Sequence, residues 1–142
     1  MKKLVNAVLI IVLLLSAAFP ITANATSQPT PRYSHISSLA GDISISSSAV
    51  ASCYGCVTAS QYLPVKVVVE LQIYRGGEWV TEKTWTSTGM AAAGISETYN
   101  LAYGNNYRVE VTGYVYDNNG NLLESATDYD AQYCPWSTRN ME

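Results

Sequence analysis

The sequence predicts an all-β protein, a single seven-stranded sandwich placed behind an N-terminal export signal. Three observations predict it. Apolar residues recur at every second position, turn signals fall roughly every eight to twelve residues, and the composition favours strands. The 142 residues hold 11 Tyr and 3 Trp against 1 Phe. Together with plentiful Val and Thr, such residues fit a pleated, half-buried surface better than a helix.

The first segment reads as an export signal. Lys2 and Lys3 form a positive n-region, Leu4 to Leu15 is apolar apart from Asn6, and Pro20 breaks the run. Ala23-Asn24-Ala25 is the small-x-small pattern that a signal peptidase accepts. The run is short for a spanning helix, which needs about 20 apolar residues. Cleavage after Ala25 is therefore expected, so residues 1–25 are read as a signal peptide. No Cys follows the apolar run and no apolar stretch lies in Trp136 to Glu142, so free secretion without a membrane anchor is expected. Losing Lys2 and Lys3 also drives the formal net charge of −3 further negative. An acidic surface argues against nucleic acid, whose phosphates are met by clustered Lys and Arg.

The remainder is one domain's worth of chain. Residues 26–33, with Pro29 and Pro31 and no periodic apolar residue, read as a flexible arm. Residues 34–130 read as the sandwich and 131–142 as a C-terminal tail. Ile43 and Ile45 mark a first strand. Ala49, Ala51, Cys53, Gly55 and Val57 share one face of the next, opposite Val50, Tyr54 and Cys56. After a turn at Gln61 to Pro64, Val65, Val67, Val69, Leu71 and Ile73 give the clearest alternation in the chain. Arg75-Gly76-Gly77 turns into Trp79 to Trp85, where the two Trp share a parity and at least one should cover the core edge. Ser87 to Gly94 reads as a loop of small residues, and Ile95, Tyr99 and Leu101 mark a short strand. Tyr107, Val109, Val111 and Val115 face inward on a longer strand, with Arg108, Glu110, Thr112, Tyr114 and Tyr116 outward. Asp117-Asn118-Asn119-Gly120 is a hairpin turn, because Asn and Gly tolerate positive φ. Leu122 to Thr127 returns as the last strand.

Leu101-Ala102-Tyr103-Gly104-Asn105-Asn106-Tyr107, followed by Val109 and Val111, resembles the corner of fibronectin type III domains. The resemblance spans about Val65 to Thr127 and implies an immunoglobulin-like or fibronectin-like β-sandwich. It also implies that the Tyr107 hydroxyl bonds back to the turn backbone. The chain departs from that family in lacking its early-strand Trp and its turn Pro. Leu71-Gln72 and Gly77-Glu78-Trp79 further resemble small secreted proteins of Gram-positive bacteria. Neither resemblance carries a catalytic residue, and a fold alone licenses no function.

Candidate chemistry is sparse. Cys53 and Cys56 form a C-x-x-C, but its flanks read as strand, not as the helix N-terminus a redox pair needs. With Cys134 and His35 they could compose a zinc set, yet exported thiols more often oxidise. On one extended strand Cys53 and Cys56 stand about 10 Å apart at about 3.3 Å per residue, too far for a bridge. Cys134 is thus expected to bridge one of them, with Cys56 favoured because it faces outward, and the spare thiol could link two chains. His35 alone could serve a nucleophilic triad, and Glu70, Glu82 and Glu110, the candidate carboxylates for glycoside hydrolysis, alternate with inward residues and read as surface charge. Asp117, Asn119 and Asn121, or Asp128 and Asp130, lack a full calcium loop. No catalytic residue, metal or cofactor is therefore expected.

The outward rings carry the functional expectation. Tyr74, Tyr114 and Tyr116, with Arg108 and Gln72 near them, would form an exposed aromatic face if their strands are neighbours. Rigid rings with hydroxyl handles suit protein partners and sugar rings alike. The sequence thus predicts a non-enzymatic extracellular module that binds a protein or cell-surface partner, with carbohydrate or cell-wall binding and a small secreted effector as alternatives.

Overall fold

The computed structural model describes residues 32–136. The export signal and most of the arm read from the sequence lie outside those residues. Seven strands run in order: β1 (Ile36–Ile45), β2 (Val50–Ala59), β3 (Pro64–Arg75), β4 (Glu78–Met90), β5 (Ala92–Asn100), β6 (Asn105–Tyr116) and β7 (Leu122–Cys134). They form two antiparallel sheets, one ordered β1-β2-β5 and the other β4-β3-β6-β7. No helix occurs among the described residues.

The alternation of β2, β3 and β6 places their buried residues between the sheets. Ala51, Cys53 and Val57 meet Val67, Val69, Leu71, Val109 and Val111, all essentially inaccessible. Without a central Trp, the sheets close on small residues. A Cβ built on Gly55 would collide with the Val69 Cγ2 methyl and press on both Val111 methyls, so the space an alanine needs is already filled by valine.

Three boundaries differ from those the sequence predicts. The small-residue stretch Ser87 to Gly94 is not a loop. β4 continues to Met90, and the chain changes sheets at Ala91, where φ is 62°. That left-handed residue is held by a bond from Ala91 N to Leu63 O (2.8 Å) and another from Ala59 N to Ala91 O (2.7 Å). β1 begins at Ile36, well before Ile43, and β7 runs past Thr127 to Cys134, taking in the start of the expected tail.

Both extensions are main-chain pairings, of β1 with β2 and of β7 with β6, and a second set of bonds joins the two extended strands. β1 and β7 are edge strands of different sheets, lying side by side, and side chains from β7 bond the free amides of β1. The Glu124 carboxylate accepts from the backbone of Ser34 (3.0 Å), His35 (2.7 Å) and Ile36 (2.7 Å). Asp128 accepts from Gly41 N (3.1 Å), Asp130 from Ile43 N (2.9 Å) and Gln132 Oε1 from Ile45 N (2.9 Å). Edge amides left bare invite pairing with another chain, and here three acidic side chains and the Gln132 amide occupy them.

At the β5–β6 corner the Tyr107 hydroxyl accepts from Ala102 N (3.0 Å) and donates to Ala102 O (3.2 Å). The bond back to the turn that the resemblance implied is therefore present.

Candidate binding face

The outer faces of the two sheets differ in chemistry. Strand alternation and register leave the three-stranded sheet with Ser38, Ala40, Asp42, Ser52, Cys56, Gly94 and Ser96 outward, and with Tyr54 as its single ring. The four-stranded sheet presents Tyr74, Trp79, Tyr114, Tyr116, Tyr129 and Tyr133.

Tyr74, Tyr114 and Tyr116 do share this face, but they do not make one patch. Lys66 is the β3 partner of Tyr114, and Tyr74 lies eight residues further along β3, about 26 Å away at 3.3 Å per residue. One end carries Tyr114 and Tyr116, stacked at 6.4 Å, with the Lys66 ammonium 4.5 Å and 5.9 Å from the two ring centres. The other end gathers Tyr74 and Trp79, whose rings are 5.1 Å apart, with Tyr129 and Tyr133.

Arg108 and Gln72 link this second cluster. The Arg108 Nε donates to Gln72 Oε1 at 2.6 Å, and its Nη2 reaches Glu110 at 3.3 Å. Its guanidinium lies over Trp79 (4.6 Å) and Tyr129 (4.8 Å). Gln72, buried beneath, donates on to Thr81 Oγ1 at 3.4 Å. The cation is thereby neutralised and caged, so it acts as a strut between two rings on separate strands.

Beside the strut lies a cleft of about 300 Å³ lined by Tyr74, Trp79, Asn106, Ala131, Gln132 and Tyr133. Register explains it. Asn106 pairs with Tyr133, and the short side chain of Ala131 pairs with Arg108, so a low floor runs between taller aromatic walls. Trp79, Tyr129 and Tyr133 are the members the sequence did not reveal. Tyr129 and Tyr133 fall beyond the expected end of the last strand. Trp79 shares a sequence parity with Trp85, but a bulge at Glu82, between the pairs Gln72–Thr81 and Leu71–Lys83, breaks it. Trp85 packs against the core beside Tyr99, at 6.4 Å, and Trp79 turns outward.

The remaining candidates are dispersed. All three cysteines are free thiols, so the predicted Cys56–Cys134 bridge is not formed: Cys134 lies in the core, whereas Cys56 is on the outer face of the other sheet. Burial pushes the Cys53 thiol up to about 11 and also raises that of Cys134. Tyr54 is raised by its hydrogen bond with the Cys56 side chain, then by the charge there and by burial. Among the described residues no three His, Cys, Asp or Glu side chains gather as a metal site. The Asp117 carboxylate is occupied by its own turn, accepting from Asn121 Nδ2, Asn121 N and Asn119 N at 2.8 Å each. Glu70 accepts from Thr84 (3.4 Å), and Glu82 pairs with Arg75 (3.3 Å).

Compared with known proteins, the chain matches no family model, and no curated protein aligns with it significantly.

Proposed function

We propose that this is a secreted, non-enzymatic binding module that contacts an extracellular protein or cell-surface partner through the outer face of its four-stranded sheet. The observation that carries the reading is the asymmetry of rings, six on that face against one on the other. Aromatic side chains with polar tips give contact area at low entropic cost, which is why they concentrate in interfaces. Secretion rests on Lys2, Lys3, the apolar run and Ala23-Asn24-Ala25.

A fibronectin type III-like scaffold is the finer reading of the sandwich. Two features support it, the Tyr107 bond to Ala102 and the pairing of β4 with β3. In constant-type immunoglobulin domains the fourth strand instead joins the sheet of the first, second and fifth.

Labelled full-length protein applied to intact cells tests the function. Replacing Tyr114, Tyr116 and Tyr133 with Ser should reduce the bound signal, while Ser52→Ala with Ser96→Ala on the opposite sheet should leave it unchanged. Equal binding by both variants would refute the assignment of the face.

A further inference from the structure

We infer that the cleft at Tyr74, Trp79, Asn106 and Tyr133 is a subsite for one neutral sugar ring of a glycan. The inference rests on the proposed binding face and names the chemistry of its most concave part.

Dimensions come first. Tyr74 on β3 and Tyr133 on β7 rise from strands two spacings apart, about 9.5 Å. A ring inserted between two aromatic faces needs a stacking contact of about 3.5–4 Å on each side, so one pyranose thickness fits and a folded element does not. The cleft volume of about 300 Å³ is of the same scale.

Charge comes next. All six lining residues are uncharged. Arg108, whose guanidinium lies over Trp79, already meets Glu110, Gln72 and two rings, and Arg75, next to Tyr74, pairs with Glu82, so both cations are already matched. An uncharged lining of this kind suits a neutral ligand.

Polarity then separates a sugar from a purely apolar group. A pyranose presents C–H faces to aromatic walls and hydroxyls around its rim. Asn106 brings an amide with two donors and an acceptor to the lining, and Tyr74 and Tyr133 each bring a hydroxyl. A hydrocarbon side chain would leave these groups unmatched. The Arg108 strut fixes the Trp79 ring before any ligand arrives, which lowers the ordering cost of binding.

The test is an NMR titration of ¹⁵N-labelled full-length protein with neutral hexasaccharides of glucose, mannose and N-acetylglucosamine, each to about 10 mM, a range suited to the roughly millimolar affinity of a single ring. A decaproline peptide serves as the competing ring-bearing ligand. At least one sugar should shift the Trp79 indole N–H, the Asn106 side-chain amide and the Tyr133 backbone, and Trp79→Ala and Tyr133→Ala should each weaken binding roughly tenfold. An unchanged urea midpoint shows that either variant remains folded. Silence with all three sugars, shifts by decaproline alone, or shifts unaffected by both variants would overturn the inference. If sugars are silent while labelled protein still binds cells through Tyr114 and Tyr116, the sugar subsite fails and the binding face survives. If cell binding ignores the face as well, both readings fail.

Discussion

Replacing Glu124 should destabilise the domain by an amount that can be worked out from its three bonds. One carboxylate oxygen accepts from both His35 N and Ile36 N at 2.7 Å, in a part-buried setting, and the other takes the exposed Ser34 N at 3.0 Å. Water can replace the carboxylate at Ser34 but reaches the other two amides less well. At about 1 kcal/mol for each part-buried bond, after allowance for solvent screening, Glu124→Ala should cost about 2 kcal/mol. With a urea m-value of about 1.5 kcal/mol/M, the unfolding midpoint should fall by about 1.3 M at constant m. Glu124→Gln keeps one acceptor oxygen, which can serve His35 and Ile36 together, and should recover more than half of the loss. The pH dependence has a definite sign. Burial tends to raise the Glu124 pKa, but the bonds from Ser34, Ile36 and His35, with the His35 charge, outweigh it and hold the carboxyl below its ordinary value. Its contribution is therefore complete at neutral pH and is lost as pH falls through the folded-state pKa. Wild type should lose more stability than Glu124→Gln on acidification below about pH 4.5. A Glu124→Ala variant within about 0.5 kcal/mol of wild type, or a Gln variant as unstable as Ala, would refute the hydrogen-bond reasoning.

Three further outcomes are expected. Tyr107→Phe removes both bonds to Ala102 and should cost about 1 kcal/mol in urea unfolding; no loss would mean the corner is held by packing alone. Gly55→Ala forces a methyl against Val69 and Val111 and should cost about 1–3 kcal/mol, with Val69→Ala in the same chain costing less than the two single losses added. In the native state a thiol reagent followed by peptide mass analysis should label Cys56 first, with Cys53 and Cys134 labelled only in denaturant, because burial raises both of their pKa values. Native labelling of Cys134 would contradict its placement in the core.

Legibility in the sequence followed burial. β2, β3 and β6 alternate cleanly because each has one face against the opposing sheet. The apolar alternation of β7 ends at Thr127 because Asp128, Asp130 and Gln132 occupy its inward positions, where alternation calls for apolar residues. Their register opposite Val111, Val109 and Tyr107 makes them inward, and their bonds to β1 explain why polar groups belong there. The early part of β1 is not legible for the complementary reason: Ser37 and Ser38 give no apolar pattern, and the segment is held by its pairing with β2 and by the Glu124 carboxylate 88–90 positions away, neither of which local periodicity shows. At the binding face the rings were legible one by one. Their division into two clusters was not, because it depends on strand register, and one bulge residue, Glu82, decides which way Trp79 points.

The contacts between β1 and β7 also bear on the order of folding. They join residues 87–90 positions apart, the first strand to the last, whereas the hairpin at Asp117 closes over a few residues. Loop closure entropy must be met before distant contacts give any return. The outer-edge amides of β1 therefore stay uncovered until the C-terminal strand is in place, and a chain truncated before Glu124 can still pair β1 with β2 but leaves Gly41, Ile43 and Ile45 N without their acceptors. Folding should accordingly be slow for a domain of this size, with the last strand as its latch.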